Sequence, residues 1–162
     1  MISPILTLRE ETDQDLAFLV AVYGATRGEE LALTPWTVEQ KDAFIRMQFS
    51  AQRTYYRAHF SDASFDLILA DGEPAGRLYV YRGTKEIHII DIALLPGFRR
   101  KGFGTALVSD LLAEGRASGR RVTIHVERNN PALVWYQRLG FRVVREENPI
   151  YLFLEYPAAP SD

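Results

Sequence analysis

Apolar and polar positions along the chain follow two periods, and each change of period marks an element. Ile5 to Arg9 alternates apolar with polar residues, which predicts a half-buried strand. Thr12 and Asp15 have the spacing of a capping box, and Leu16, Leu19, Val20 and Tyr23 then recur at helical spacing. Gly24 and Gly28 predict a loop after that helix. Thr34-Pro35 pairs an N-cap with a first-turn residue, and Thr37 with Gln40 is a second candidate box. Phe44, Met47, Ala51 and Tyr55 then form an apolar stripe flanked by Ile45, Phe49, Tyr56 and Phe60. That stripe predicts a long helix over residues 36–59.

The second half of the chain is richer in strands. Phe65–Ala70 and Ala75–Tyr81 are β-rich runs joined by Asp71-Gly72-Glu73-Pro74, a hairpin signal. Ile87–Leu95 is almost wholly apolar, as a central strand covered on both faces would be. Leu107, Val108, Leu111 and Leu112 mark the buried side of a helix ending near Gly119. Val122–Val126 reads as a strand. Asn130 suits an N-cap, Pro131 the first helical position and Gly140 the left-handed residue after the last turn. The helix between them has about two and a half turns. Phe141–Val144 and Ile150–Tyr156 are the last two strands, joined by a turn at Asn148-Pro149. The elements run βααβββ and then αβαββ, an α/β fold with helices packed on a twisted sheet. Residues 5–156 read as one domain, and 157–162 as a frayed tail.

Composition narrows the chemistry. The 162 residues are enough to bury a substantial core. A net charge of −2 gives no electrostatic case for nucleic acid. With no cysteine there is no disulfide, no zinc–thiolate site and no cysteine acyl-enzyme. The first residues lack a basic segment followed by an apolar core, and no apolar run approaches membrane-spanning length. The expectation is therefore a cytoplasmic protein with no membrane partner. No acidic cluster has a recognisable metal spacing, so no metal is expected.

The segment Leu94-Leu95-Pro96-Gly97-Phe98-Arg99-Arg100-Lys101-Gly102-Phe103-Gly104-Thr105 leads from a strand through a basic, glycine-containing loop to a helix start. A helix N-terminus carries unpaired N–H groups and the positive end of the macrodipole, so such a segment can hold phosphate. A dinucleotide fingerprint would need a third glycine where Leu107 stands, and the P-loop tripeptide is absent. What remains, Arg99, Gly102 and Gly104 as R-x-x-G-x-G, resembles the acyl-CoA pyrophosphate loop of the GNAT N-acetyltransferase superfamily. Asn129, Ala132, Tyr136, Gly140 and Phe141 fall in register with the second signature of that family, N-x-x-A-x-x-x-Y-x-x-x-G-F. The resemblance covers nearly the whole chain. It implies the GNAT fold, a mixed twisted sheet of about six to seven strands with about four helices and splayed central parallel strands.

The resemblance also implies an activity, acetyl transfer from acetyl-CoA to a small-molecule or peptide amine in a ternary complex. An acyl-CoA-binding sensor that transfers nothing is the alternative. The pantetheine arm would lie between 90–95 and 122–127, with backbone partners at Ile92 and Leu94. Leu94 N–H would also face the thioester oxygen. Pyrophosphate would rest on Arg99, Arg100, Lys101, Gly102, Phe103, Gly104 and Thr105. Asn129 matches the residue that bonds the pantetheine arm, and it could instead cap the following helix. Tyr136 matches the general acid that protonates the leaving thiolate, and it could instead pack helix against sheet. The position of the family's general-base carboxylate falls on His88, with Glu86 and Asp91 nearby; a histidine can do that work, and it can also be a packed residue. Glu29, Glu30 and Trp36 lie in the segment that borders the acceptor pocket in the family, where carboxylates would attract a cationic amine. A solvated acidic loop with a buried Trp36 is the other reading. Exposed strand edges and an aromatic-rich helix make a homodimer an expectation.

Overall fold

The computed structural model describes residues 4–157, so that of the expected tail only Pro157 lies within it. The strands are β1 (Leu6–Glu10), β2 (Ser64–Ala70), β3 (Glu73–Arg82), β4 (Glu86–Leu94), β5 (Arg121–Glu127), β6 (Arg142–Glu146) and β7 (Tyr151–Tyr156). The helices are α1 (Leu16–Ala32), α2 (Val38–His59), α3 (Phe103–Ser118) and α4 (Ala132–Leu139). The seven strands form one mixed sheet in the order β1-β2-β3-β4-β5-β7-β6. The chain divides into two compact units, and β3 and β4 contribute residues to both. The first unit is the chain through Tyr79 with Asp91–Lys101, and the second is Val80–Ile90 with the chain from Gly102 onward.

In the first unit β1 pairs antiparallel with β2, from Leu6 opposite Ala70 to Glu10 opposite Asp66. Asp71 and Gly72 both have positive φ, 50° and 81°, which is the two-residue turn that joins twisted hairpin strands without splaying them. Leu19 and Tyr23 of α1 and Phe49 of α2 pack on Leu67 of β2. The Thr12–Asp15 box forms at the start of a single 3-10 turn that leads into α1. Of the two candidate starts for α2, the Thr37–Gln40 box is the one that forms.

The loop predicted from Gly24 and Gly28 is not there, because α1 runs through both glycines to Ala32. A helical glycine costs about 1 kcal/mol against alanine. The extension through the glycines buries Leu31, which offsets that cost. A β-carbon at Gly24 would come within 3.3 Å of Ile45, so the close packing there favours a small residue.

In the second unit β4 runs parallel to β5, with Glu86–Ile89 in register against Arg121–Ile124. β5 pairs antiparallel with β7 from Val122 opposite Tyr156 to Glu127 opposite Tyr151, and β7 pairs with β6 across a bulge between Val143 and Arg145. α3 buries Phe103, Leu107, Val108, Leu111 and Leu112. The apolar run of β4 is covered only at its start. Ile87, His88 and Ile89 are buried, whereas every residue from Ile90 to Leu94 is partly exposed. A central strand half open to solvent departs from the packed strand that its composition predicts. Among the described residues no helix is long and apolar enough to cross a membrane.

Candidate active site

The segment after β4 has an unusual backbone. Pro96–Phe98 makes a single 3-10 turn, and Arg99 leaves it extended at φ −81°, ψ 160°. Arg99 Nε donates to the Leu94 carbonyl oxygen at 2.9 Å, which ties the loop to the end of its strand. Arg100 then takes φ 61° and Gly102 φ 81°. A positive φ is uncommon away from glycine and is tolerated where the surroundings require it. Left-handed Gly102 followed by the right-handed first residues of the helix turns neighbouring N–H groups toward one side, the geometry of a backbone anion nest. α3 follows at once, and no side chain caps its N-terminus. Arg99, Arg100 and Lys101 are exposed.

Within the second unit the start of α3 meets α4. Trp135 Nε1 donates to Thr105 Oγ1 at 3.1 Å. Its ring lies 3.6 Å from where a β-carbon on Gly104 would stand. Tyr136 is 5 % exposed, with its ring 5.6 Å from Phe141 in an edge-on pair and 4.7 Å from Trp135. Asn130 Oδ1 accepts from Ala132 N–H at 2.9 Å, so Asn130 caps this helix and Asn129, exposed in the preceding turn, does not. Gly140 closes α4 at φ 110°, as its place in the motif demands.

The polar residues at the start of β4 are engaged. Thr123 Oγ donates to Glu86 Oε2 at 3.0 Å, so its oxygen accepts from His88 Nδ1–H at 2.8 Å. Arg121 approaches the same Glu86 oxygen at 3.4 Å. Burial of His88, and then the neighbouring His125, push its pKa down to about 4. A buried ring with so weak an affinity for protons gives no support to His88 as the base. Glu86 serves here as the acceptor for Thr123 and Arg121.

Glu29 and Glu30 do not lie in a loop. Both belong to α1, and Glu30 pairs with Arg27 at 3.1 Å. Trp36 does stand between the helices, yet it is 39 % exposed and packs on Phe44 at 5.1 Å. With Gln40, Ala43, Phe44 and Met47 it lines an open groove of about 340 Å³.

The first unit also holds two buried ionic clusters that the hydropathy pattern conceals. Glu11 is 6 % exposed, and its carboxylate receives Arg53 at 3.3 Å, Arg57 at 3.0 Å and the Tyr79 hydroxyl at 3.1 Å. Burial pushes the Tyr79 hydroxyl well above its ordinary pKa. Arg77 of β3, 2 % exposed, pairs through Nη2 with Asp91 of β4, and the same nitrogen donates to Gln52 Oε1 at 2.7 Å. Its guanidinium lies 5.0 Å from the centre of the Tyr79 ring and 5.9 Å from that of Tyr23. The signal that could have exposed this pair is an arginine in the middle of one apolar strand and an aspartate within the next.

Comparison with known proteins agrees with this architecture. An N-alpha-acetyltransferase of Sulfurisphaera tokodaii is 24% identical over 143 residues, covering 75% of this chain and 86% of that protein. The PaiA N-acetyltransferase of Thermoplasma acidophilum, solved in complex with coenzyme A, superposes with a TM-score of 0.69 at 17% identity, covering 94% of this chain and 99% of that one. An Arabidopsis thaliana protein in complex with the bisubstrate analogue CoA-Ac-MVNAL superposes at 0.60 with 16% identity, over 93% and 97% of the two chains. The model of the acetyltransferase (GNAT) family matches residues 27–141, well over half of the sequence. Motifs, sheet order and family match converge, and the chain belongs to the GNAT acetyltransferase family.

Proposed function

We propose that the protein transfers an acetyl group from acetyl-CoA to a primary amine by direct attack within a ternary complex. The observation that carries this reading is the loop from Arg99 to Gly102, whose alternating backbone feeds an uncapped helix start flanked by exposed cations. Such a turn suits a diphosphate. The partly exposed stretch Ile90–Leu94 is the second support, since a peptide-like arm can pair with open strand backbone as an added strand does. The relatives with coenzyme A or a CoA–peptide conjugate bound point to the same ligand.

In this reading Arg99–Thr105 bind the diphosphate, and the main chain at Ile92 and Leu94 aligns the arm, with Asn129 beside it. The free amine nitrogen forms a bond to the acetyl carbon as the carbon–sulfur bond breaks, and the proton that nitrogen sheds passes to water, from which Tyr136 is later re-protonated. The Leu94 N–H donates to the carbonyl oxygen as it gains charge, a contribution of about 10²–10³ in rate for one such donor. Tyr136 gives its proton to the departing thiolate, for about 10²–10⁴. Trp36 and its groove on α2 border the acceptor.

Calorimetry with acetyl-CoA and an assay of thiol release across amines and peptides test this reading. Binding in the micromolar range is expected, with turnover on at least one amine class. Tyr136→Phe should lower kcat by about 10² or more and leave acetyl-CoA affinity within about twofold. No heat with acetyl-CoA removes the reading. Binding without release on any amine replaces it with a sensor.

A further inference from the structure

The open end of β4 lies hard against β3 at a glycine. Gly76 is buried in β3. A β-carbon there would collide with the Ala93 carbonyl oxygen and stand 3.0 Å from Leu94 Cα and from the end of the Leu94 side chain. The main obstacle is backbone, which cannot swing aside as a flexible side chain does. Any larger residue at 76 must therefore push the strands apart at this point.

The contact also fixes a direction. The edge of the Ala93–Leu94 peptide that faces Gly76 carries the Ala93 oxygen and Leu94 Cα. In a planar trans peptide the N–H lies on the opposite edge, so Leu94 N–H is turned away from β3. The next peptide is held as well. Leu95 N–H donates to the Ala75 carbonyl oxygen at 2.9 Å, and the Leu94 carbonyl oxygen accepts from Arg99 Nε at 2.9 Å. Both peptide planes that meet at Leu94 are thus clamped, with the Leu94 N–H facing outward. Core packing does not account for so close a fit, because every residue from Ile90 to Leu94 is partly exposed.

We propose that Gly76 is a positioning residue for acetyl transfer. Its missing side chain lets β4 seat against β3 so that Leu94 N–H stands where the thioester oxygen gains charge. Gly76 itself touches neither acetyl-CoA nor the acceptor. This assignment rests on the acetyltransferase reading and adds to it a residue from the neighbouring strand. A donor of this kind works at about 2.7–3.1 Å from the oxyanion. A misplacement of about 1 Å can cost about 10²-fold in rate. The mark of Gly76 therefore falls on turnover and spares affinity, since the diphosphate is held farther along the chain at 99–105.

Gly76→Ala tests this. The partly exposed end of β4 has room to yield, so the variant should fold, with some loss in urea unfolding. Its affinity for acetyl-CoA by calorimetry should stay within about threefold, while kcat falls by about 10²-fold. The carbonyl stretch of bound acetyl-CoA, isotope-labelled at that carbon and read by infrared difference, is lowered by the donor in the native protein. In Gly76→Ala it should return toward the value of the free ligand. A glycine needed only for packing would lower stability and leave that frequency unchanged. The native protein supplies a second reading that does not depend on the variant folding. Its Leu94 amide resonance should move farther with acetyl-CoA than with coenzyme A, which lacks the carbonyl. A folded Gly76→Ala with native kcat and native carbonyl frequency overturns the assignment. So does a Leu94 amide that does not distinguish the two ligands while both bind. No heat with acetyl-CoA overturns the acetyltransferase reading and this assignment together.

Discussion

Two clusters of polar side chains draw on β4, and they are built on opposite plans. At the start of the strand Glu86, Thr123 and His88 form a closed chain, with the Thr123 hydroxyl giving its proton to one neighbour and its lone pair to the other. Further along, Arg77 Nη2 pairs with Asp91 Oδ2 and donates to Gln52, Arg77 Nε is buried without a hydrogen bond, and Asp91 stays partly open. A chain whose central hydroxyl both donates and accepts stiffens the sheet. The Arg77 cluster leaves one buried guanidinium N–H unsatisfied, at an energetic cost. Burial and charge alone do not separate the two; the tally of donors and acceptors does.

The largest effect should come from breaking the ion pair. Arg77→Ala leaves the Asp91 carboxylate without its cation, and breaking a buried pair costs about 3–5 kcal/mol. The low end, about 3 kcal/mol, is expected because Asp91 keeps water on one side. Urea unfolding measures it, and a loss below about 1 kcal/mol would mean the pair is not the dry, committed interaction that the contrast requires.

The closed cluster should show itself through pH. The His88 pKa falls from 6.5 to about 4 on folding. Between those values the unfolded chain binds a proton that the folded protein refuses. The stabilisation is therefore complete above the unfolded pKa and is lost as pH falls toward 4. A shift of this size amounts to about 3 kcal/mol. His88→Gln has no such group, so the stability gap between the native protein and the variant should narrow by roughly that amount from about pH 7 to about pH 4. A gap that stays constant would mean His88 titrates normally, and the closed cluster would then be open.

The sequence is unequally informative about these regions, for physical reasons. Periodicity, caps and turn signals located the seven strands and four helices of the described residues, even β6, which buries no residue. They failed at Gly24 and Gly28, where tertiary packing on α2 overrides local preference. The loop at 99–105 was legible because glycine and charge are conspicuous in a short turn. Arg77 and Asp91 were not, since a charged residue in a strand ordinarily signals the solvent face and only the pairing of strands shows that these two meet. Nor could sequence separate His88 as a base from His88 as a packed ring. Its hydrogen-bond partner Thr123 is 35 residues away in the chain.

The smallest effect sharpens the contrast most. Glu86 and Arg121 are 33 % and 41 % exposed, so replacing the carboxylate costs only the modest energy of a solvent-screened pair. Glu86→Gln still offers Thr123 an acceptor oxygen, and the loss should fall below about 1 kcal/mol. Acetyl transfer should stay within about twofold of the native rate, because a residue that only finishes a hydrogen-bond chain has no step to slow. A general base behaves differently: its removal costs about 10²–10⁴ in rate while stability barely changes. Rate and stability measured on this one variant therefore separate the two plans. A rate that collapses while the fold holds would return catalysis to the start of β4.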